Sequence, residues 1–286
     1  MFELRSLLVT LLVALSPAAT AASSSCAVEP ESVGMSSARL QRLHSAMQRY
    51  VDEKKAAGIV TYVARAGRVV DLRGFGMSDI EAGRAMTPDT LFRIASQTKL
   101  MTSVAVMMLL EEGRIALEDP LSRYLPAFAQ SRVAVAAEGN GPVKLVPAKR
   151  AITIRDLLTH TSGVPYGTGI SAPYWEEAGI QGGYYADRDE PMAALVERMA
   201  TLPLDAQPGE QFVYGHSTDI LGVVVEKISG LTLEQFFRAR LFGPLQLHDT
   251  YFFVPPDQAH RLAAVYAASE SGLRRANGPA GIDSQG

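Results

Sequence analysis

Residues 93–115, RIASQTKLMTSVAVMMLLEEGRI, open with two polar, reactive side chains three residues apart, Ser96 and Lys99. They continue as a long apolar run that Gly113 ends. A run of this kind needs a core to enter, and 286 residues supply ample material for one, as one large domain or two modest ones. With 47% apolar and 20% charged residues the chain reads as a folded globular protein. Its formal net charge is -3 and neither sign forms a block, so neither nucleic acid nor an anionic membrane surface is an expected partner.

Around this stretch the periodicities change. Leu40, Leu43, Met47 and Tyr50 fall at helical spacing, in a segment that a serine cap opens and Gly58 closes. Ile59–Gly76 holds two runs rich in β-branched residues around Ala66-Gly67, which predicts a β-hairpin. From Gly113 to about residue 250 no strand pair stands out. Helix-like segments lie at Thr153–Thr159, Pro191–Leu202, Ser217–Ser229 and Thr232–Leu241, joined by loops rich in glycine and proline. The expected fold is an α/β layer with a helical subdomain, about residues 114–250, inserted into it.

The N-terminus, MFELRSLLVTLLVALSPAATAA, carries Arg5, the apolar stretch Leu7–Leu15 and the small-x-small site Ala19-Thr20-Ala21. This fits a signal peptide over residues 1–21 and a periplasmic or secreted protein over 22–286. The apolar stretch is too short to span a bilayer, so no membrane span is expected after cleavage. Cys26 is the one cysteine, which excludes an intramolecular disulfide. It offers a lipid-attachment point, although SSSC lacks the apolar residue such sites carry.

A serine hydroxyl is a poor nucleophile until a base takes its proton. On a helix, a lysine three residues later lies one turn away on the same face, within reach of that oxygen. The helix start adds backbone N–H groups where negative charge would develop. Spacing alone does not decide the matter. Six lysines and 21 serines in this chain give about 0.4 chance Ser-x-x-Lys matches, and an ordinary helix start with a lysine on its wet side would look the same.

Two further stretches change the balance, ITIRDLLTHTSGV at Ile152–Val164 and PGEQFVYGHST within Pro208–Thr250. With Ser96-Gln97-Thr98-Lys99 they resemble, in order and spacing, the serine β-lactamase and penicillin-binding-like superfamily. The branch is the one holding class C β-lactamases, D,D-peptidases and family VIII carboxylesterases. The resemblance runs from about Glu31 to Ala268. It implies a β-lactamase/transpeptidase-like α/β fold, an antiparallel sheet flanked by helices with an inserted helical subdomain. It also implies that Ser96 is acylated, with Lys99 as its partner. Tyr214 matches the tyrosine of a Tyr-x-Asn element that deprotonates the serine and reprotonates the leaving group. That role needs a phenol lowered from about 10 by a nearby ammonium. Taken without this context, Tyr214 would read as a core tyrosine at a helix entry. His160, in LLTHTSG, reads as a loop residue hydrogen-bonded locally.

The third position of the Tyr-x-Asn element is His216. In the lactamases the asparagine meets the substrate's amide, so His216 is expected to line the substrate site and to favour esters. No Lys-Thr-Gly, His-x-Gly or Trp-x-Gly follows Tyr214, and the chain stops at Gly286 in GPAGIDSQG. The expectation is a chain truncated before the last strands of the sheet. The glycine-rich loop Pro165–Asp189 gathers Tyr166, Tyr174, Trp175, Tyr184 and Tyr185, either as an apolar wall for an acyl group or as a surface loop stapled by its own aromatics. The histidines at 44, 160, 216, 248 and 260 form no zinc motif, and there is no phosphate loop, so neither metal nor cofactor is expected. The expected activity is that of a serine hydrolase working through an acyl-enzyme, first a carboxylesterase on small esters. A β-lactamase or D,D-carboxypeptidase acting on an amide is the alternative within the class. A non-catalytic ligand-binding relative or an inactive fragment is the alternative outside it.

Overall fold

The computed structural model describes residues 27–137, 143–183, 189–270 and 272–276. The expected leader, Cys26, the end GPAGIDSQG and Tyr184 and Tyr185 lie outside the described residues. Two units divide the chain. One runs to Thr90 and resumes at Arg261–Ala276, and the other is Leu91–His260, intervening in sequence.

In the first unit, helix α1 (Ser37–Asp52) starts at Ser36, whose side chain accepts the Arg39 N–H. It stops six residues short of the expected Gly58, which instead opens strand β1 (Gly58–Arg65). β1 pairs antiparallel with β2 (Arg68–Asp79), from Gly58 opposite Gly76 to Arg65 opposite Arg68. The two-residue turn puts both Ala66 (φ 50°) and Gly67 (φ 72°) in the left-handed region, the geometry that matches the twist of the flanking strands. β3 (Arg84–Ala85) adds a third antiparallel strand beside β2. The buried face of α1 carries Leu40 and His44, while Tyr50 is exposed. His44 turns inward because Asp71 of β2 receives it. Nε2 lies 2.6 Å from Asp71 Oδ1, and Thr61 donates to Oδ2 at 2.6 Å. Tyr266–Ser269 and Gly272–Arg275 form a separate antiparallel hairpin of this unit.

The second unit is mostly helical. It begins with α2 (Thr98–Glu111). Contrary to expectation it contains a strand pair, β4 (Arg132–Val135) antiparallel to β5 (Lys144–Pro147), with Val133 also bridging Leu204 in parallel. Each strand is four residues long, too short for an alternation to stand out. The helices that follow are α3 (Ile154–Leu158), α4 (Ala172–Glu177), α5 (Met192–Met199), α6 (Ser217–Ser229) and α7 (Leu233–Phe237). α7 runs into a π-turn, Arg238–Phe242. α6 packs against α2, α3, α5 and α7, and Ile220, Leu221, Val223, Val224 and Val225 are all buried. Around them close Ala105, Val106 and Leu109 of α2, Trp175, and Phe236 and Phe237. Among the described residues no helix is long and apolar enough to cross a membrane.

α3 has only five residues and owes its start to a capping box. Thr153 Oγ1 accepts the Asp156 N–H, and Asp156 accepts the Thr153 N–H. Arg150 then grips the same carboxylate with two N–H groups, at 2.6 and 2.8 Å. Burial works to raise the Asp156 pKa, but Arg150 and the Thr153 donors outweigh it and hold it below the usual carboxylate range. Arg150 is half-exposed and can be rehydrated, whereas the Asp156 side chain is 6% exposed and cannot. Arg150→Ala should therefore cost more stability, about 3 kcal/mol, than Asp156→Asn, about 1–2 kcal/mol, which keeps an acceptor for the cap. A depressed folded-state pKa gives stability that is complete above the unfolded carboxylate value and lost as pH falls through the folded one. The gap between wild type and Asp156→Asn in urea melts should accordingly close below about pH 4.

Candidate active site

The apolar face of α2 fixes what its first turn presents. Ser96 lies in a 3-10 turn, Ala95–Gln97, that leads directly into α2, and Lys99 follows one turn on. Ala95, a non-glycine residue, has φ 43°, so the backbone is strained immediately before the serine. Ser96 is exposed and Lys99 half-buried. Lys99 Nζ is 3.4 Å from Ser96 Oγ.

Tyr214 comes from the segment that leads into α6. Its hydroxyl donates to Ser96 Oγ at 2.9 Å, across 118 residues of sequence. Lys99 Nζ lies 5.0 Å from the centre of the Tyr214 ring. The structure thus brings together Ser96, Lys99 and Tyr214.

A second tyrosine completes the group, and its place could not be read from the sequence. Lys99 Nζ donates to the Tyr166 hydroxyl at 3.0 Å. Tyr166 reaches this point because the loop Ser162–Tyr166 lies directly against the residue between Tyr214 and His216. A Cβ on Gly215 would sit 2.2 Å from the Val164 carbonyl oxygen, so only glycine permits the contact. Ser162 and Ser217 join the same two segments through a buried 2.9 Å hydrogen bond.

His216 is placed differently from expectation. Its side chain has no exposed surface, so it does not line an open substrate site. The ring stacks on Trp175 (5.6 Å, 19°) and meets Tyr166 edge-on (4.7 Å, 87°), and Nδ1 lies 3.3 Å from Asp219 Oδ2. Trp175, also fully buried, donates from Nε1 to the Pro203 carbonyl. Of the loop aromatics expected at the site, Tyr166 therefore reaches Lys99 and Trp175 supports it through His216.

The electrostatics separate the two phenols. Tyr214 is held below the ordinary phenol value first by Ser96, whose hydroxyl can donate to the phenolate at the same 2.9 Å contact, and then by Lys99, together outweighing the opposing effect of burial. Burial pushes Tyr166 up, and Lys99 only partly offsets that. For Lys99 burial works downward, but its hydrogen bonds to Tyr166 and Tyr214 outweigh it and leave the ammonium above its ordinary value. The arrangement is a persistent cation between a phenol that ionises early and one that ionises late. Such divergence is how a site separates a proton acceptor from a spectator.

The fold is of the β-lactamase/transpeptidase-like α/β class, with antiparallel sheets and helices. The model of the Beta-lactamase family matches residues 43–283, and the chain belongs to that family. Protein Rv1367c of Mycobacterium tuberculosis is 40% identical over 227 residues, 79% of this chain and 55% of that protein. Esterase EstB of Burkholderia gladioli is 36% identical over 228 residues, again 79% and 55%. Among solved structures, EstCE1, described as a hydrolase with promiscuous acyltransferase activity, superposes with a TM-score of 0.72 at 29% identity, covering 83% of this chain and 59% of that one. The chain thus spans a little over half the length of the curated relatives it matches.

The split between the phenols is measurable without a substrate. In an alkaline titration followed by tyrosinate absorbance, Tyr214→Phe should remove a component ionising below the ordinary phenol value of about 10. Tyr166→Phe should remove one ionising above it. Lys99→Ala should move the Tyr214 component up, because the phenolate loses its neighbouring cation.

Proposed function

We propose that this chain carries the nucleophilic centre of a serine hydrolase that cleaves small esters through an acyl-enzyme on Ser96. The observation that carries the reading is the 2.9 Å hydrogen bond between Tyr214 and Ser96 Oγ beside the Lys99 ammonium. With its pKa lowered, Tyr214 as phenolate takes the Ser96 proton while Oγ bonds to the ester carbonyl carbon. The C–O bond to the alcohol then breaks, and the Tyr214 hydroxyl returns the proton to the departing alkoxide. Water repeats the cycle in reverse order. Its proton goes to Tyr214, its oxygen takes the acyl group, and Ser96 Oγ is reprotonated as it leaves. Lys99 stays charged throughout and stabilises the phenolate.

Esters rank above lactams because His216 is turned into the core, where it offers an incoming amide nothing. The likeness to esterase EstB supports the same ranking. A β-lactamase or D,D-carboxypeptidase remains the second reading within the class. Transfer of the acyl group to an alcohol instead of water is a further one, favoured by the structural likeness to EstCE1. The leader-like N-terminus supports a periplasmic or secreted site of action.

A serine-directed phosphonate should add one phosphonyl group at Ser96, seen by intact mass and peptide mapping and absent in Ser96→Ala. An adduct that survives Ser96→Ala would sink the assignment. Lys99→Ala and Tyr214→Phe should each lower kcat by about 10²–10⁴-fold, with folding unchanged by circular dichroism. p-Nitrophenyl butyrate should turn over far faster than a chromogenic cephalosporin. Equal kcat/KM for the two would reverse the order of ester and lactam.

A further inference from the structure

His160 is a half-buried titratable group that the mechanism above leaves unused, and its sequence context suggested a locally hydrogen-bonded loop residue. The structure shows another arrangement. Nδ1 is buried and has no hydrogen-bond partner. The ring packs on Tyr214, with centroids 4.7 Å apart and planes at 43°, and meets Phe212 edge-on at 5.8 Å.

The backbone supports a dedicated role. His160 follows the end of α3 with φ 55°, in the left-handed conformation. At that position glycine or asparagine is the undemanding choice. The sequence instead supplies a ring, and the conformation turns that ring onto the phenol. The His160 carbonyl also accepts the Val213 N–H at 2.8 Å, tying the same residue to the segment that carries Tyr214. Tyr166 also meets Tyr214 edge-on, at 5.6 Å and 79°.

We propose that His160 is a positioning residue: its ring, set against Tyr214 by the left-handed backbone, holds the phenol on Ser96 Oγ. This rests on the reading of Tyr214 as the group that moves the serine proton. The charged and titratable groups around the imidazole agree with a role for a neutral ring. Burial first, and Lys99 of α2 second, hold its pKa below the ordinary imidazole value, and Asp219 of α6 only partly opposes them. A neutral ring can rest against a phenol beside a lysine without adding a second cation.

The test compares three substitutions. His160→Gly and His160→Asn suit the left-handed backbone but remove the ring, while His160→Phe keeps a ring and removes the nitrogens. In the glycine and asparagine variants kcat should fall on the order of 10²-fold, the scale of a misplaced catalytic group, with KM changed only a few-fold. Their Tyr214 component in the tyrosinate titration should rise toward the ordinary phenol value. His160→Phe should restore both kcat and the low Tyr214 ionisation. Should the glycine variant unfold, the asparagine variant carries the comparison. Wild-type kcat and an unshifted Tyr214 in a ring-less variant would overturn the proposal. So would a well-folded His160→Phe as impaired as His160→Asn. The titration needs no turnover, so it tests His160 even if phosphonate labelling shows that Ser96 is not the nucleophile.

Discussion

The packing of α6 against α2 is the constraint on which the site depends. α6 is enclosed by α2, α3, α5 and α7, and its run Ile220–Val225 is buried. Each of its large apolar side chains contributes about 1.5–3 kcal/mol on leaving water. That burial fixes the height of α6 against α2, and the two helices carry the two halves of the site at their starts. Ser96 and Lys99 open α2, and Tyr214 and His216 lead into α6. Sliding one helix past the other by a single turn, about 5.4 Å, would separate Tyr214 from Ser96 entirely. The 2.9 Å contact is thus a result of core packing, and the polar groups that make it add chemistry to a distance already set.

Gly215 and the loop from His160 to Tyr166 refine that distance. The loop follows a five-residue helix whose start is fixed by Thr153, Asp156 and Arg150, so part-buried polar contacts at that cap help determine where His160 and Tyr166 emerge. The close approach at Gly215 then lays the loop against Tyr214 and His216. Tyr166 acquires its place at Lys99 from this contact between segments, 67 residues apart in sequence from the lysine it meets.

This explains what could be read from the sequence and what could not. Ser96 and Lys99 share one helix start, so their meeting follows from helical geometry and is visible as a spacing. The hairpin around Ala66-Gly67 is equally local, because turn chemistry and alternation sit within a few residues. Tyr214 was legible only through resemblance, since nothing near it in sequence indicates a serine more than a hundred residues away. Tyr166 stood among five aromatics in one loop with no local pattern to single it out. His216 was expected to face a substrate, but its direction is set by Trp175 and Tyr166, which meet it only in the folded chain. His160 and His44 share the remaining difficulty: a polar residue's placement depends on the partner that the fold brings to it, Tyr214 in one case and Asp71 in the other.

The choice of partners for Lys99 has a physical logic. Among the described residues no carboxylate forms an ion pair with it, and its partners are the oxygens of Tyr166, Tyr214 and Ser96. A carboxylate at that distance would neutralise the ammonium and cancel much of its field at Tyr214. A neutral phenol holds the cation in place by a hydrogen bond and leaves its charge available. Tyr166 is suited to this because burial keeps it protonated, so it does not compete with Tyr214 for the role of anion. The rings behind it, His216 and then Trp175 in the core, supply rigidity. A site built from aromatic rings around one lysine can therefore hold that lysine in place and still let it lower the pKa of the phenol beside the serine.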